Sequence, residues 1–178
     1  ITTALTQSPG SLLKIDPVSN GENHPKLTVA NGFVNHGTIE FIESTSGYDF
    51  NERLDVTAGT LTNASDGEIK SSLGTNSGFH FLGAEVNNLG TITVNKVLTI
   101  DKAGAAHLNS STINIATNRQ LTVSQSAGSF AHTGVINIPA GAVCLFSGGS
   151  MSHDPGSTTG PGQLRFRNCA VTNLTLTP

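Results

Sequence analysis

Six histidines carry the widest chemical reach in this sequence. A zinc site asks for short-range pairs such as His-x₃-His or Cys-x₂-Cys that converge on one ion. His24, His36, His80, His107, His132 and His153 are dispersed instead, and only His132 and His153 fall where adjacent repeats would bring them close. The G-G-x-G-x-D calcium nonapeptide is absent, although Asp154 sits near a Gly-rich turn. No metal and no other cofactor is expected. Cleavage of a polysaccharide needs two carboxylates a few Å apart, or a carboxylate with Arg or Lys. Glu40 and Glu68 are the best such pair, and Lys70 beside them reads more simply as a cross-strand charge partner. No G-x-S-x-G nucleophile spacing occurs, so no catalytic residue is assigned.

Cys144 and Cys169 lie 25 residues apart, close to one repeat of the chain. That spacing suggests a disulfide between adjacent coils, adding about 3 kcal/mol and fitting an oxidising compartment. The alternative is two unlinked small apolar residues in the wall. Three N-x-S/T sequons, at Asn63, Asn109 and Asn173, carry little weight in a chain so rich in these residues.

The elements that must position these groups are short and repetitive. NNLGTITVN at 87–95 returns as VNHGTIEFI from Val34, NASDGEIKS from Asn63, LNSSTINIA from Leu108 and AHTGVINIP from Ala131. Strand-like openings recur at Leu27, Leu54, Phe79, Leu98, Leu121, Val143 and Cys169, about every 24 residues. Within each copy the apolar period is two, the mark of a strand, and no segment holds the 3.6 period of a helix. Opening strands set Leu27 and Val29, Leu54 and Val56, Leu98 and Ile100, and Leu121 and Val123 on one face. Closing strands do the same with Ile39 and Phe41, Ile92 and Val94, Ile113 and Ile115, Ile136 and Ile138, and Leu164 and Phe166. A third apolar site lies between them at Phe33, Leu61, Val86, Phe130 and Met151.

Three apolar segments per copy, separated by Gly or Asn corners, describe three walls of a coil. One copy cannot bury its apolar face alone, but stacked copies form columns of like side chains. The fold expected is all-β: a β-solenoid of about seven rungs, right-handed and parallel because crossover connections take that hand. Such a rod would be about 30–35 Å long. An antiparallel β-sandwich would also show short strands and frequent turns, but does not account for the repeat. The whole of 1–178 reads as one domain, with 1–26 an irregular or partial rung and 27–171 the repeats.

Asn35, Asn63, Asn88 and Asn109 occupy corresponding places in consecutive copies, followed by His132 and then His153. The expected role is a ladder at a corner, each amide bonding the next and satisfying turn backbone. The competing role, a polar row that binds glycan, fits less well with a column placed just before a buried strand. An outward row of threonines suggests ice binding, but Glu40, Glu68, Lys70 and Arg165 interrupt it.

Only 12% of the 178 residues are charged, half the usual share, while 36% are hydrophobic. Thr, Ser, Asn and Gly fill the gap, as expected of strands joined by many turns. A net charge of −3 with nine Lys and Arg provides no basic patch, and one Tyr without Trp gives no stacking platform. Nucleic acid is therefore not an expected partner. No apolar run approaches membrane-helix length, so membrane insertion is not expected either. No signal peptide is visible, and the lack of an initiator Met suggests a processed product or a piece of a longer chain.

LTVANGFVNHGTIEF, LDVTAGTLTNASDGEI and LTVSQSAGSFAHTGVINI resemble the N-x-G-T-I repeats of very large secreted bacterial proteins, adhesin-like and autotransporter or filamentous-haemagglutinin-like, over roughly Leu27 to Phe166. The resemblance implies a parallel β-helix at a cell surface or in secretion, with adhesion or fibre building as its role. It carries over no catalytic residue. Implied partners are further repeats of the same chain or identical subunits, and glycans or host-surface molecules. Two stretches depart from the repeat, STSGYDFNER at 44–53 and SHDPGSTTGPG from Ser152. Loops carry function more often than scaffolds do, so Tyr48, Asp49, Asn51, Arg53, His153 and Asp154 are the expected contact residues. The last strand, CAVTNLTLTP, is expected to offer an open edge.

Overall fold

The computed structural model describes residues 1, 5–17, 24–44, 49–75 and 77–176. In chain order the strands are β1 (Leu12–Ile15), β2 (Lys26–Asn35), β3 (Thr38–Phe41), β4 (Glu52–Asn63), β5 (Glu68–Ser71) and β6 (His80–Asn88). They continue as β7 (Thr91–Val94), β8 (Leu98–Ile100), β9 (Ala106–Asn109), β10 (Thr112–Ile115), β11 (Gln120–Ser124) and β12 (Ser129–His132). The last six are β13 (Val135–Asn137), β14 (Val143–Ser147), β15 (Ser150–His153), β16 (Ser157–Thr159), β17 (Gln163–Arg167) and β18 (Ala170–Thr172).

Pairing between these strands is parallel, each with the equivalent strand one turn on. One wall is a seven-stranded sheet in the order β1-β3-β5-β7-β10-β13-β16. The other two walls share an eleven-stranded sheet, unbroken through β2, β4 and β6. Beyond β6 it forks into β8-β11-β14-β17 and β9-β12-β15-β18. The chain is thus an all-β solenoid of about seven turns, and the parallel pairing excludes the antiparallel sandwich.

Alternating burial along each strand explains the stacking. Third-wall strands read half-exposed, buried, half-exposed, buried in β3, β5, β7 and β10. Their inward residues form the column Leu13, Ile39, Ile69, Ile92, Ile113 and Ile136. The first wall contributes Leu27, Leu54, Leu82, Ile100, Val123, Phe146 and Phe166. Each fully buried Leu, Ile or Phe contributes roughly 1.5–3 kcal/mol, so the columns are the main source of stability.

Two details of register differ from the sequence expectation. Leu54 is opposite Leu82, and Leu82 is opposite Ile100, so the fourth turn opens on His80 rather than Phe79. Phe79 faces outward at 49% exposure while His80 is fully buried. Leu164 and Phe166 belong to the first wall, against β14, and not to a closing strand.

Candidate functional site

The corner column forms a continuous amide ladder. Asn35 Nδ2 donates to Asn63 Oδ1 at 2.8 Å, Asn63 to Asn88 at 2.8 Å, and Asn88 to Asn109 at 2.7 Å. The second amide hydrogen of each goes to a backbone carbonyl. Asn35 reaches Glu68 O at 3.1 Å, Asn63 reaches Thr91 O at 3.1 Å, and Asn88 reaches Thr112 O at 3.2 Å. Asn109 donates to Ser111 O and to His132 Nδ1, and His132 Nε2 donates to Ser157 O. All five side chains are buried, so the column is structural and presents nothing to a glycan. It also buries the sequons at Asn63 and Asn109, whereas Asn173 is exposed.

Gln7 heads the column, bridging to Asn35 and donating to Thr38 O at 3.0 Å. The repeat gave no sign of it, because Gln7 lies in a stretch without the N-x-G phrase. None of the ladder asparagines has a positive φ; Asn118, Asn168 and Asn173 do, in other turns. Gly90 is needed for space rather than for φ: a Cβ there would overlap the Ala64 and Gly67 carbonyls of the preceding turn.

The expected contact residues are largely engaged within the chain. Tyr48 lies outside the described residues. Asp49 Oδ1 accepts from Ser77 N at 2.9 Å and Oγ at 2.8 Å, and these bonds hold its carboxyl below the usual range. Asn51 Oδ1 accepts from Phe79 N, while Asn51 N donates to His24 Nδ1. The loops of adjacent turns therefore stack on one another as the strands do. Arg53 grips Asp101 with two bonds at 2.8 and 3.1 Å, contacts Asp55 at 2.7 Å, and lies 5.7 Å from the Phe81 ring centre. Asp154 is exposed at its corner, but His153 is 2% exposed and so is not a surface contact.

The carboxylate pair does not form. Glu40 is opposite Lys70, and Glu68 is opposite Thr38 and Thr91. Glu40 accepts from Ser72 Oγ at 2.5 Å and lies 3.7 Å from Lys70 Nζ, whereas Glu68 accepts from Thr93 Oγ1 at 2.7 Å. A groove of about 420 Å³ over Asn31, Val34, Ala58 and Thr60 has no titratable side chain in its lining. Among the described residues no three of His, Cys, Asp and Glu gather where they would hold a metal.

Both cysteines are free, which corrects the expected bridge. The turn that begins at β14 is shorter than the mean repeat, so Cys144 stands opposite Leu164, not Cys169. Burial pushes the Cys144 thiol up to about 12.

Sequence reasoning missed a polar cluster inside the coil. Glu52 and His80 replace apolar residues at the head of the column that continues as Leu98, Leu121 and Cys144. Glu52 Oε2 approaches His80 Nε2 at 3.0 Å with both side chains wholly buried, and His80 Nδ1 meets Ser71 Oγ at 2.7 Å. Ser71 also bonds Lys96 O, and Lys96 Nζ pairs with buried Glu43 at 2.8 Å. The Glu–His–Ser order resembles a hydrolase triad, but Ser71 has no exposed surface, so no substrate reaches it. The signal available in sequence was FHFLG, read one residue out of register.

His107 is another buried imidazole, taking the place of an apolar residue beside Phe130. Its Nδ1 accepts from Val86 N at 3.2 Å, and burial pushes its pKa down to about 4.

Comparison with protein-family models, with curated proteins and with solved structures finds no match.

Proposed function

We propose that this chain is a structural and adhesive module of a secreted or cell-surface protein, associating with further repeats or with identical subunits. The observation that carries this reading is the stacking of equivalent strands turn upon turn, ending on β16, β17 and β18, which have no outer neighbour among the described residues. Phe166, Leu164 and Val171 are only half-buried there, unlike Phe146 and Met151 one turn inside. An unpaired parallel edge with an apolar column behind it favours addition of another coil. The ladder amides, Asp49, Asn51 and Arg53 are engaged in bonds within the chain, which favours a mechanical role over turnover.

Negative-stain imaging across a concentration series tests the reading. Rods longer than the roughly 35 Å of seven turns, lengthening with concentration, are expected. Compact particles of constant size would remove the self-association, and turnover on a polysaccharide panel would replace the reading with an enzyme.

A further inference from the structure

The ladder has a direction, and two histidines stand where it ends. Every asparagine donates toward the next turn, so the last member must accept. His132 does so through Nδ1, at 3.0 Å from Asn109 Nδ2, while its Nε2 faces the Ser157 carbonyl at 3.0 Å. An amide hydrogen on one side and a carbonyl on the other allow a single form, the neutral imidazole protonated at Nε2. A proton on Nδ1 would face the Asn109 NH₂ group. Turning Asn109 to receive it would set Asn109 Oδ1 against Ser111 O and its NH₂ against the Asn88 NH₂, and the conflict passes up the ladder.

The ring cannot swing aside. Gly156 packs against it so closely that a Cβ there would lie 2.6 Å from His132 Cδ2. The His153 ring stands edge-on to it with centroids 4.9 Å apart. His153 Nε2 bonds Thr158 Oγ1 at 3.0 Å, while its Nδ1 is buried with no hydrogen-bond partner among the described residues. The titratable group facing His132 is His153 on β15; His107, two residues along β9 from Asn109, stands opposite Phe130. Among the described residues no carboxylate is bonded to either ring of the pair, and Asp154 at the adjoining corner is exposed.

We propose that the His132–His153 corner is an acid-operated latch, which on taking up a proton releases β15, β16 and β18 from β12 and β13 while the earlier turns stay stacked. Release uncovers the strand edges of β12 and β13 and the apolar column at Phe130. The proposal concerns the stability of the last coils and does not depend on the adhesive reading.

Hydrogen exchange followed by mass spectrometry at about pH 7.5 and about pH 5 tests the latch, after correction for the intrinsic rate. Amides of β15, β16 and β18 are expected to exchange on the order of tenfold faster in acid, with β3, β5 and β7 unchanged. The double variant H132N/H153N removes both imidazole rings and restores two-hydrogen amides, so it should stay protected at both pH values. H107L should leave the acid response in place. Uniform loosening of all turns, no loosening, persistence in the double variant or loss in H107L would each overturn the proposal. In the wild type, an exchange midpoint away from the NMR titration of the His132 ring would also overturn it, whether or not the variants fold.

Discussion

Asn63 gives one amide hydrogen to Asn88 Oδ1 at 2.8 Å and the other to the Thr91 carbonyl at 3.1 Å, both on the next turn. One side chain thus ties two strands and a corner together in a fully buried site. Asn63→Leu would leave Thr91 O, Asn88 Oδ1 and one Asn35 hydrogen without this partner. Each buried group left unsatisfied costs roughly 1–3 kcal/mol, so a loss of about 3 kcal/mol is expected from urea unfolding. Asn31→Ala, at an exposed position, should change stability by less than about 0.5 kcal/mol. Equal losses from the two variants would show that the ladder contributes nothing special.

Gly90→Ala separates close approach from backbone freedom. A methyl at Gly90 meets two carbonyl oxygens of the turn below, whereas at Gly104, with φ of +68°, it meets nothing within 4 Å. Overpacking against backbone costs about 1–3 kcal/mol or more, and a left-handed alanine about 1 kcal/mol. Gly90→Ala should therefore lower the unfolding midpoint further. Gly104→Asn should recover most of the loss at that site, because Asn tolerates the left-handed region; the reverse order would refute the argument.

The walls were legible because apolar alternation has a period of two and each column repeats the same residue type, as in Ile39, Ile69, Ile92, Ile113 and Ile136. The ladder was legible because Asn precedes the corner in four consecutive copies. What was not legible depends on turn length. FHFLG offers phenylalanines at alternate positions, and only the pairing of His80 with Leu98 shows that the histidine points inward. The shortened turn after β14 likewise moved Cys169 out of reach of Cys144. Buried Glu43, Lys96 and Glu52 carry no hydropathy signal, because their burial rests on partners far along the chain.

Stability should fall in mild acid through His107. Burial holds its folded pKa near 4, against about 6.5 in an unfolded chain. Above 6.5 both states are neutral there and the group has no effect. Between 6.5 and 4 the unfolded chain binds a proton that the folded chain refuses, so stability drops as pH falls, by roughly 3 kcal/mol in total. The difference in unfolding free energy between H107F and wild type should move in favour of the variant across that window. A pH-independent difference would count against a neutral buried ring.

Thiol labelling checks the cysteines. Cys144 is fully buried with its thiol raised to about 12, while Cys169 is partly exposed, its thiol also raised by burial. At about pH 8 a thiol reagent should modify Cys169 and leave Cys144 intact until the chain unfolds, because only the thiolate reacts. A mass showing neither thiol available without reductant would establish a bridge instead.

Lys96 and Glu43 meet 53 residues apart in sequence at 2.8 Å, with side-chain exposures of 7% and 0%. Glu43 Oε1 also accepts from Phe50 N at 2.8 Å, so the pair ties Glu43 and Phe50, which lie between β3 and β4, to the segment leading into β8, two turns on. Lys96→Met removes the cation and leaves the Glu43 carboxylate in a buried site, which costs about 3–5 kcal/mol. Adding Glu43→Gln removes that charge while keeping an oxygen for Phe50. The double variant should return to within about 1 kcal/mol of wild type, since isosteric replacement of a buried pair is often close to neutral. Urea unfolding of the four proteins gives the coupling energy directly. Additive losses would mean that the two groups do not act as a pair.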